Sequence, residues 1–308
     1  MKQLVIEPVG GLCNRIFVLN SALEISRKCG IELTILWWNR ADCGCNFQDV
    51  LAAPEGIKII NKKRSAFGSK KLFKEKRWKD SFIAMLRELN YRNHQFLSHF
   101  QRIPENLTFQ LYDDDLCDFV YKYFINKNKV YLEQCILQYG NHVDFFPFSD
   151  EVYKKAKNIK YEIGKRRYYG LHIRRTDHVY AIQNSPTELF VNEVEKHLKK
   201  EPDCMFFLAT DDKKVENFFR EQYPNNIIYI PDKAYGRNGV FAIQDAALDL
   251  LLLSQSEKIY GSVASTFSIM AAAMGKIELC ILMRDGKLDS EWQKISRRYL
   301  SDNVHILC

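Results

Sequence analysis

Five consecutive residues, Arg174-Arg175-Thr176-Asp177-His178, carry most of the chemistry legible in this chain. They close the apolar run Tyr169 to Ile173, which reads as a short buried strand with His172 inside it. In an open α/β sheet the ligand sits at the carboxyl ends of the strands, so polar groups bunched at such an end stand where chemistry is done. Two neighbouring guanidiniums call for an anion. A diphosphate suits them because each planar fork engages two oxygens at once. An Arg-Arg pair alone is more often a solvated turn, and the other strand ends of the chain decide how to read this one.

Two of those ends lie downstream. Met205-Phe-Phe-Leu208 leads through Ala209 and Thr210 into Asp211-Asp212 and a helix. Gly261-Ser262-Val263-Ala264-Ser265-Thr266-Phe267-Ser268 opens another helix, which Ser265 or Thr266 is expected to cap. Hydroxyls beside helix-start N–H groups make a phosphate seat that needs no lysine. A carboxylate at the neighbouring strand end can accept from a guanine edge or a ribose hydroxyl. Each feature has a plainer reading: Asp211 or Asp212 as a simple cap, Ser265-Thr266 likewise. Together they form an arginine clamp, a base or ribose reader and an anion seat on one edge of one sheet. A fourth stretch, Gly10-Gly11-Leu12-Cys13-Asn14-Arg15, joins a strand over 3–9 to a helix with Ile16, Leu19 and Leu23 on one face. It is neither a G-x-G-x-x-G fingerprint nor a P-loop, and a tight βα turn explains it as well as a ligand does.

The elements that position these residues follow from hydrophobic periodicity. Strands are expected at 3–9, 31–38, 57–60 and 130–137. After Asp150, strands at 169–173, 205–209, 227–230, 258–260 and 279–283 alternate with helices at about 188–199, 212–222, 242–255, 265–274 and 288–299. Such alternation means parallel sheets covered by helices, an α/β protein. A boundary in the charged stretch near 150–165 divides the chain into domains 1–160 and 161–308.

Length and composition fit this frame. The 308 residues, 46% hydrophobic and 27% charged, suffice for a sizeable core. The nine cysteines are odd in number with no repeating spacing, and Cys204 and Cys280 sit in strand-like runs, which argues for a reducing compartment. Cys43-Gly-Cys45 has no second ligand pair, so no metal site is expected. No signal peptide and no run of about 18 apolar residues is found, so a cytoplasmic protein is expected. Net charge is +7, and Lys58–Lys79 alone contributes ten basic residues against Glu75. Its interleaved Phe67, Phe73 and Trp78 invite a single-strand-binding reading. A solvated loop is the blander one. A peripheral contact with the inner face of a membrane, near a lipid-linked acceptor, stands between them, and nucleic acid is not expected as a partner. His94, His99 and His142 are candidates for an acceptor cleft, or ordinary imidazoles.

The four motifs together carry a resemblance. Gly10-Gly11-Leu12-Cys13-Asn14-Arg15-Ile16-Phe17 resembles the Gly-Gly-Leu-Gly-Asn-Gln-x-Phe signature of α1,2-fucosyltransferases, and His172-Ile-Arg174-Arg175-Thr176-Asp177 resembles the His-Val-Arg-Arg-Thr-Asp of α1,6-fucosyltransferases. Ala209-Thr210-Asp211-Asp212 is similar to the α1,6 group. Ser262-Val-Ala-Ser265-Thr-Phe-Ser268 is similar to the Ser-x-x-Ser-Ser-Phe-Ser of the α1,2 group. The resemblance implies a GT-B-like fold, two Rossmann-like domains facing a cleft, with an inverting, metal-independent transfer from GDP-fucose and no further cofactor. It implies that Arg174 and Arg175 hold the β-phosphate and that His172, Asp211 and Asp212 lie near the guanosine. Ser265 and Thr266, with Phe267 beside them, would bind phosphate, while Gly10, Gly11, Asn14 and Arg15 would line the cleft from the N-terminal domain.

Departures from the pattern matter. Cys13 replaces a glycine and Arg15 a glutamine. The glutamate regarded as the base of the α1,6 enzymes has no counterpart in His178-Val-Tyr-Ala-Ile-Gln183. Asp177 and His178 are the nearest titratable groups, with Asp177 preferred as base. Three classes of function are therefore carried: a fucosyltransferase acting on a glycan such as a surface polysaccharide or oligosaccharide, a transferase of the same fold with another nucleotide sugar, and a non-catalytic nucleotide- or glycan-binding protein.

Overall fold

The computed structural model describes residues 2–63, 96–97, 129–135, 146–300 and 303–307. It divides into two units. One comprises residues 1–140, 144–149 and 237–240, and the other residues 141–143, 150–236 and 241–308.

In the first unit the centre is β1 (Gln3–Pro8), buried along nearly all its length. It pairs in parallel with β2 (Glu32–Asn39) on one side and β5 (Lys129–Gln134) on the other, while β3 (Lys58–Lys63) and β4 (Phe96–Leu97) flank them. Every pairing is parallel, which requires crossovers and covered faces and explains the near-continuous apolar strands. Helix α1 (Leu12–Cys29) makes the first crossover.

The second unit carries six parallel strands in the order β11-β10-β9-β6-β7-β8. They are β6 (Tyr168–Ile173), β7 (Met205–Thr210), β8 (Ile227–Ile228), β9 (Lys258–Ser262), β10 (Glu278–Leu282) and β11 (Val304–Leu307). The helices are α2 (Asp150–Ile163), α3 (Val179–Asn184), α4 (Thr187–Leu198), α5 (Lys213–Gln222), α6 (Val240–Leu253), α7 (Thr266–Gly275) and α8 (Ser290–Leu300). The chain leaves β6 through β7 and β8, then returns to place β9 on the other side of β6. That reversal is a topological switch point, and it opens a crevice beyond the carboxyl ends of β6 and β9. Leu171, Ile173, Phe206 and Leu208 of the sheet pack with Phe190 and Val194 of α4 and Phe219 of α5, so the platform beneath the crevice is close-packed.

The five strands expected after Asp150 are present, β8 shorter than expected at Ile227–Ile228, while β11 has no counterpart in the sequence reading. The charged stretch over 150–163 is a helix rather than a linker. Val152, Ala156, Ile159 and Ile163 recur at spacings that put one apolar stripe against the core. Most of Lys58–Lys79 and His94, His99 and His142 lie outside the described residues. Among the described residues no helix is long and apolar enough to cross a membrane, and no group of three or more His, Cys, Asp or Glu is placed to hold a metal ion.

Candidate functional site

Sheet register assembles the site. His172 sits between Ala209 of β7 and Gly261 of β9, and Ile173 lies opposite Thr210. The next residue, Arg174, therefore emerges between Asp211 and Ser262. Its backbone N–H donates to Ser262 Oγ at 3.0 Å, and its guanidinium donates to both Asp211 and Asp177. Asp211 also accepts from the Arg175 N–H at 2.7 Å and from the Thr176 hydroxyl. The two arginines are not equivalent. Arg174 keeps 16% of its side chain exposed. Arg175 is buried, donating to the Arg174 carbonyl at 2.7 Å and Thr187 Oγ1 at 2.9 Å, so it braces the turn.

Backbone strain marks the same edge. Among the described residues four non-glycine residues have positive φ, and three of them, Thr176 at 30°, Asp232 at 50° and Ala264 at 54°, lie in loops that border the crevice. For a β-branched threonine this is an outlier that the surrounding hydrogen bonds must hold in place.

His172 forms the floor. One ring nitrogen, Nδ1, lies 2.6 Å from Ser268 Oγ, and the ring stacks on Phe267 with centroids 4.8 Å apart. Gly261 makes this approach feasible, since a Cβ there would come within 2.6 Å of Ser268 Oγ. Burial, reinforced by the charges of Arg174, Lys233 and Arg175, pushes the His172 pKa down to about 3. The imidazole is thus neutral and acts by stacking and hydrogen bonding.

Other expected site residues separate into roles. Asp212 caps α5 by accepting from the Lys214 N–H at 2.8 Å. Ser265 occupies the N-cap position of α7, yet its hydroxyl makes no capping bond, so the helix-start N–H groups are not closed off by that side chain as expected. Thr266 begins the helix and Phe267 follows it. His178 caps α3 through Nδ1, which accepts from the Ala181 N–H at 3.1 Å. That bond leaves the proton of the neutral ring on Nε2, so His178 has no lone pair left for a base. Asp177, with 58% of its side chain exposed, is the more open carboxylate.

One pair escaped the sequence reading. Asp249 lies buried on the apolar helix α6 and is ion-paired with Lys233, whose Nζ also donates to the Thr210 carbonyl at 2.8 Å. Burial raises the Asp249 pKa to about 6 despite the lysine. Its Oδ1 is buried with no hydrogen-bond partner among the described residues. Such an oxygen is costly and asks for a donor. The signal was present in the sequence: a carboxylate inside Ala246–Leu253, whose other residues are all Ala or Leu.

In the first unit the turn after β1 is built for shape. Gly10 has φ 89°, and its N–H donates to Asp42 at 2.8 Å. Arg15 was expected to line a cleft. It is fully buried instead, donating to the carbonyls of Gly10 at 2.9 Å and Trp38 at 2.8 Å, pairing with Asp42 at 3.4 Å and stacking over Trp37. With each guanidinium nitrogen bonded within the unit, it holds the turn. Gly11 and Asn14 are only partly buried, and Asn14 reaches Cys135 Sγ at the end of β5 at 3.5 Å.

Parallel sheets with a crevice at a switch point define a doubly wound, Rossmann-like α/β fold, and solved structures narrow it. NodZ α-1,6-fucosyltransferase from Bradyrhizobium, co-crystallised with GDP, is 16% identical over 89% of this chain and 93% of its own, with a TM-score of 0.56. POFUT1 in complex with GDP-fucose is 11% identical over 89% of this chain and 94% of its own, with a TM-score of 0.53. Arabidopsis thaliana FUT1, a variant in complex with GDP, is 12% identical over 94% of this chain and 71% of its own, with a TM-score of 0.56. The fold of this chain is that of the GT-B fucosyltransferases. No protein-family model matches the sequence, and no curated protein is significantly similar to it.

Proposed function

We propose that this protein is an inverting fucosyltransferase that moves fucose from GDP-fucose to a hydroxyl of a glycan acceptor. The observation that carries the reading is Arg174, held between two carboxylates at the switch point of a fold shared with structures solved in complex with GDP and GDP-fucose. Carboxylates are partners that a diphosphate can replace, and the α7 N-terminus with Ser265 and Thr266 supplies further donors to it. Asp249 Oδ1 accepts from the N1–H and N2–H edge of guanine in this reading, which selects a GDP sugar. His172 and Phe267 line the way between base and diphosphate.

In the reaction the acceptor oxygen attacks the anomeric carbon as its bond to the β-phosphate breaks. Negative charge grows on departing GDP, and Arg174 with the helix-start N–H groups meets that charge without reorganising. Asp177 takes the acceptor proton once the diphosphate has drawn Arg174 away from it.

A binding protein without turnover is the second reading, favoured by the absence of a glutamate in His178–Gln183 and by the capping role of His178. Incubation with GDP-fucose, GDP-mannose and UDP sugars, with and without sugar acceptors, separates the cases. Acceptor-stimulated GDP release from GDP-fucose alone supports the first. Tight GDP binding with no release under any condition supports the second, and preference for a UDP sugar removes both.

A further inference from the structure

Seven large apolar side chains are exposed among the described residues, and three of them crowd into four positions: Val179 at 64%, Tyr180 at 42% and Ile182 at 40%. All belong to α3, which starts two residues after Asp177. On a helix these positions span the arc opposite Ala181, the fully buried residue that anchors α3 to the unit. A short surface helix ordinarily turns polar residues outward. This one turns its apolar side out.

The location of α3 identifies what covers it. Its start is tied to the arginine turn by the His178 N–H, which donates to the Arg175 carbonyl at 3.0 Å. Its end is tied to the far side of the sheet edge. Buried Ser185 donates to the Leu282 carbonyl at the end of β10 and accepts from the Val263 N–H, just beyond β9, at 2.8 Å. The helix thus runs along the carboxyl edge of β6, β9 and β10, beside the diphosphate seat, pinned at both ends. Polar groups rim the patch, with Asp177 before it and exposed Gln183 after it. A ligand with one apolar face and a hydroxyl edge matches that pattern, which is the constitution of a pyranose.

We infer that Val179, Tyr180 and Ile182 form the platform for the acceptor sugar, whose C–H face rests on the Tyr180 ring while its hydroxyl edge points toward Asp177 and Arg174. The inference rests on the transferase reading. The patch is one helical turn, the size of a sugar ring rather than of a lipid surface.

The test uses the full chain saturated with GDP and three probes: the methyl glycosides of galactose, N-acetylglucosamine and mannose. Binding is followed by saturation-transfer NMR, and GDP affinity by calorimetry. At least one glycoside is expected to bind, with saturation strongest on one ring face. Tyr180→Ala or the pair Val179→Ser with Ile182→Ser should weaken it about 3- to 10-fold, the scale of losing one aromatic contact. Tyr180→Phe should retain binding, and Tyr161→Ala, an exposed aromatic on α2, should change nothing. GDP affinity should be the same in all variants, which also shows that they are folded. Glycoside binding indifferent to Tyr180, no glycoside binding at all, or Tyr180-dependent binding to anionic vesicles in its place would each overturn the inference. If GDP fails to bind the unmodified protein, the transferase reading has failed, and that outcome is distinguishable from the others.

Discussion

The strands β1 and β6 hold the same position in their respective sheets and end in opposite ways. Each is flanked by the next strand in sequence on one side and by a later strand on the other, so each ends at a switch point. Each is followed within a few residues by an arginine, Arg15 in the first turn of α1 and Arg174 directly after β6. At β1, Arg15 is spent on two backbone carbonyls and Asp42 with none of its surface in water. At β6, Arg174 is matched only by carboxylate side chains and keeps an exposed edge. Backbone carbonyls of a packed turn cannot be displaced without unfolding it, whereas a carboxylate can swing away when a better anion arrives. In the proposed reading the same side chain is mortar in one unit and an anion seat in the other. The kind of partner decides which.

Removing each arginine is the strongest way to break this comparison. Arg174→Ala should lower turnover at least ~100-fold, the cost of losing one oxyanion donor, with thermal stability little changed. Arg15→Ala should do the reverse. It leaves two backbone carbonyls without their donor and empties a fully buried site, at a cost of about 2–5 kcal/mol in denaturant unfolding, while any folded protein still binds GDP. If both variants lose nucleotide binding at unchanged stability, the distinction between the two ends is wrong.

Asp249→Asn comes next. Losing one edge-reading carboxylate should weaken GDP binding by roughly 10- to 100-fold. In the unmodified protein, GDP affinity should also fall as pH drops through about 6, where this carboxylate takes up a proton. The asparagine variant should lack that limb, and a titration across pH 5 to 8 reads both effects.

His172 sharpens the contrast through stability. It stays neutral in the folded protein down to about pH 3, but in the unfolded chain it protonates near 6.5. Below pH 6.5 the unfolded state binds a proton that the folded state refuses, so stability falls with pH, by about 2 kcal/mol at pH 5. Asp249, with its raised pKa, works in the opposite sense over about pH 6 to 4. The difference between the unmodified protein and His172→Asn, followed by urea unfolding from pH 7 to 5, isolates the histidine; parallel curves would contradict its burial as a neutral ring. The smallest effect belongs to Asp212→Ala, which should cost about 1 kcal/mol as a lost helix cap and leave GDP affinity intact. A large loss of affinity there would return Asp212 to the binding site.

Much of this was legible in the sequence because strand ends announce themselves. An apolar run that stops at Arg174, Asp211 or Ser262 reveals both the strand and its polar edge, and parallel pairing then brings those ends together. Partner choice was not legible. Nothing in Gly10-Gly11-Leu12-Cys13-Asn14-Arg15 tells that Arg15 turns inward, because its partners Trp38 and Asp42 are supplied by β2 and the loop after it. Nothing in Asp211-Asp212 tells which carboxylate caps and which grips arginine, since local geometry suits both. Asp249 is missed for a different reason: a single acid inside Ala246–Leu253 looks like a break in an apolar run, when a carboxylate surviving inside such a helix is itself the signal.

Isothermal calorimetry with GDP and UDP, on the unmodified chain and on Arg174→Ala, puts the anion seat at β6 to proof. GDP should bind the unmodified protein, UDP much more weakly, and Arg174→Ala should lose at least about tenfold in GDP affinity, the scale of a charge-assisted pair. No binding of either nucleotide, or a GDP affinity indifferent to Arg174, would mean that the carboxylates hold the arginine for structure alone and that β6 ends as β1 does.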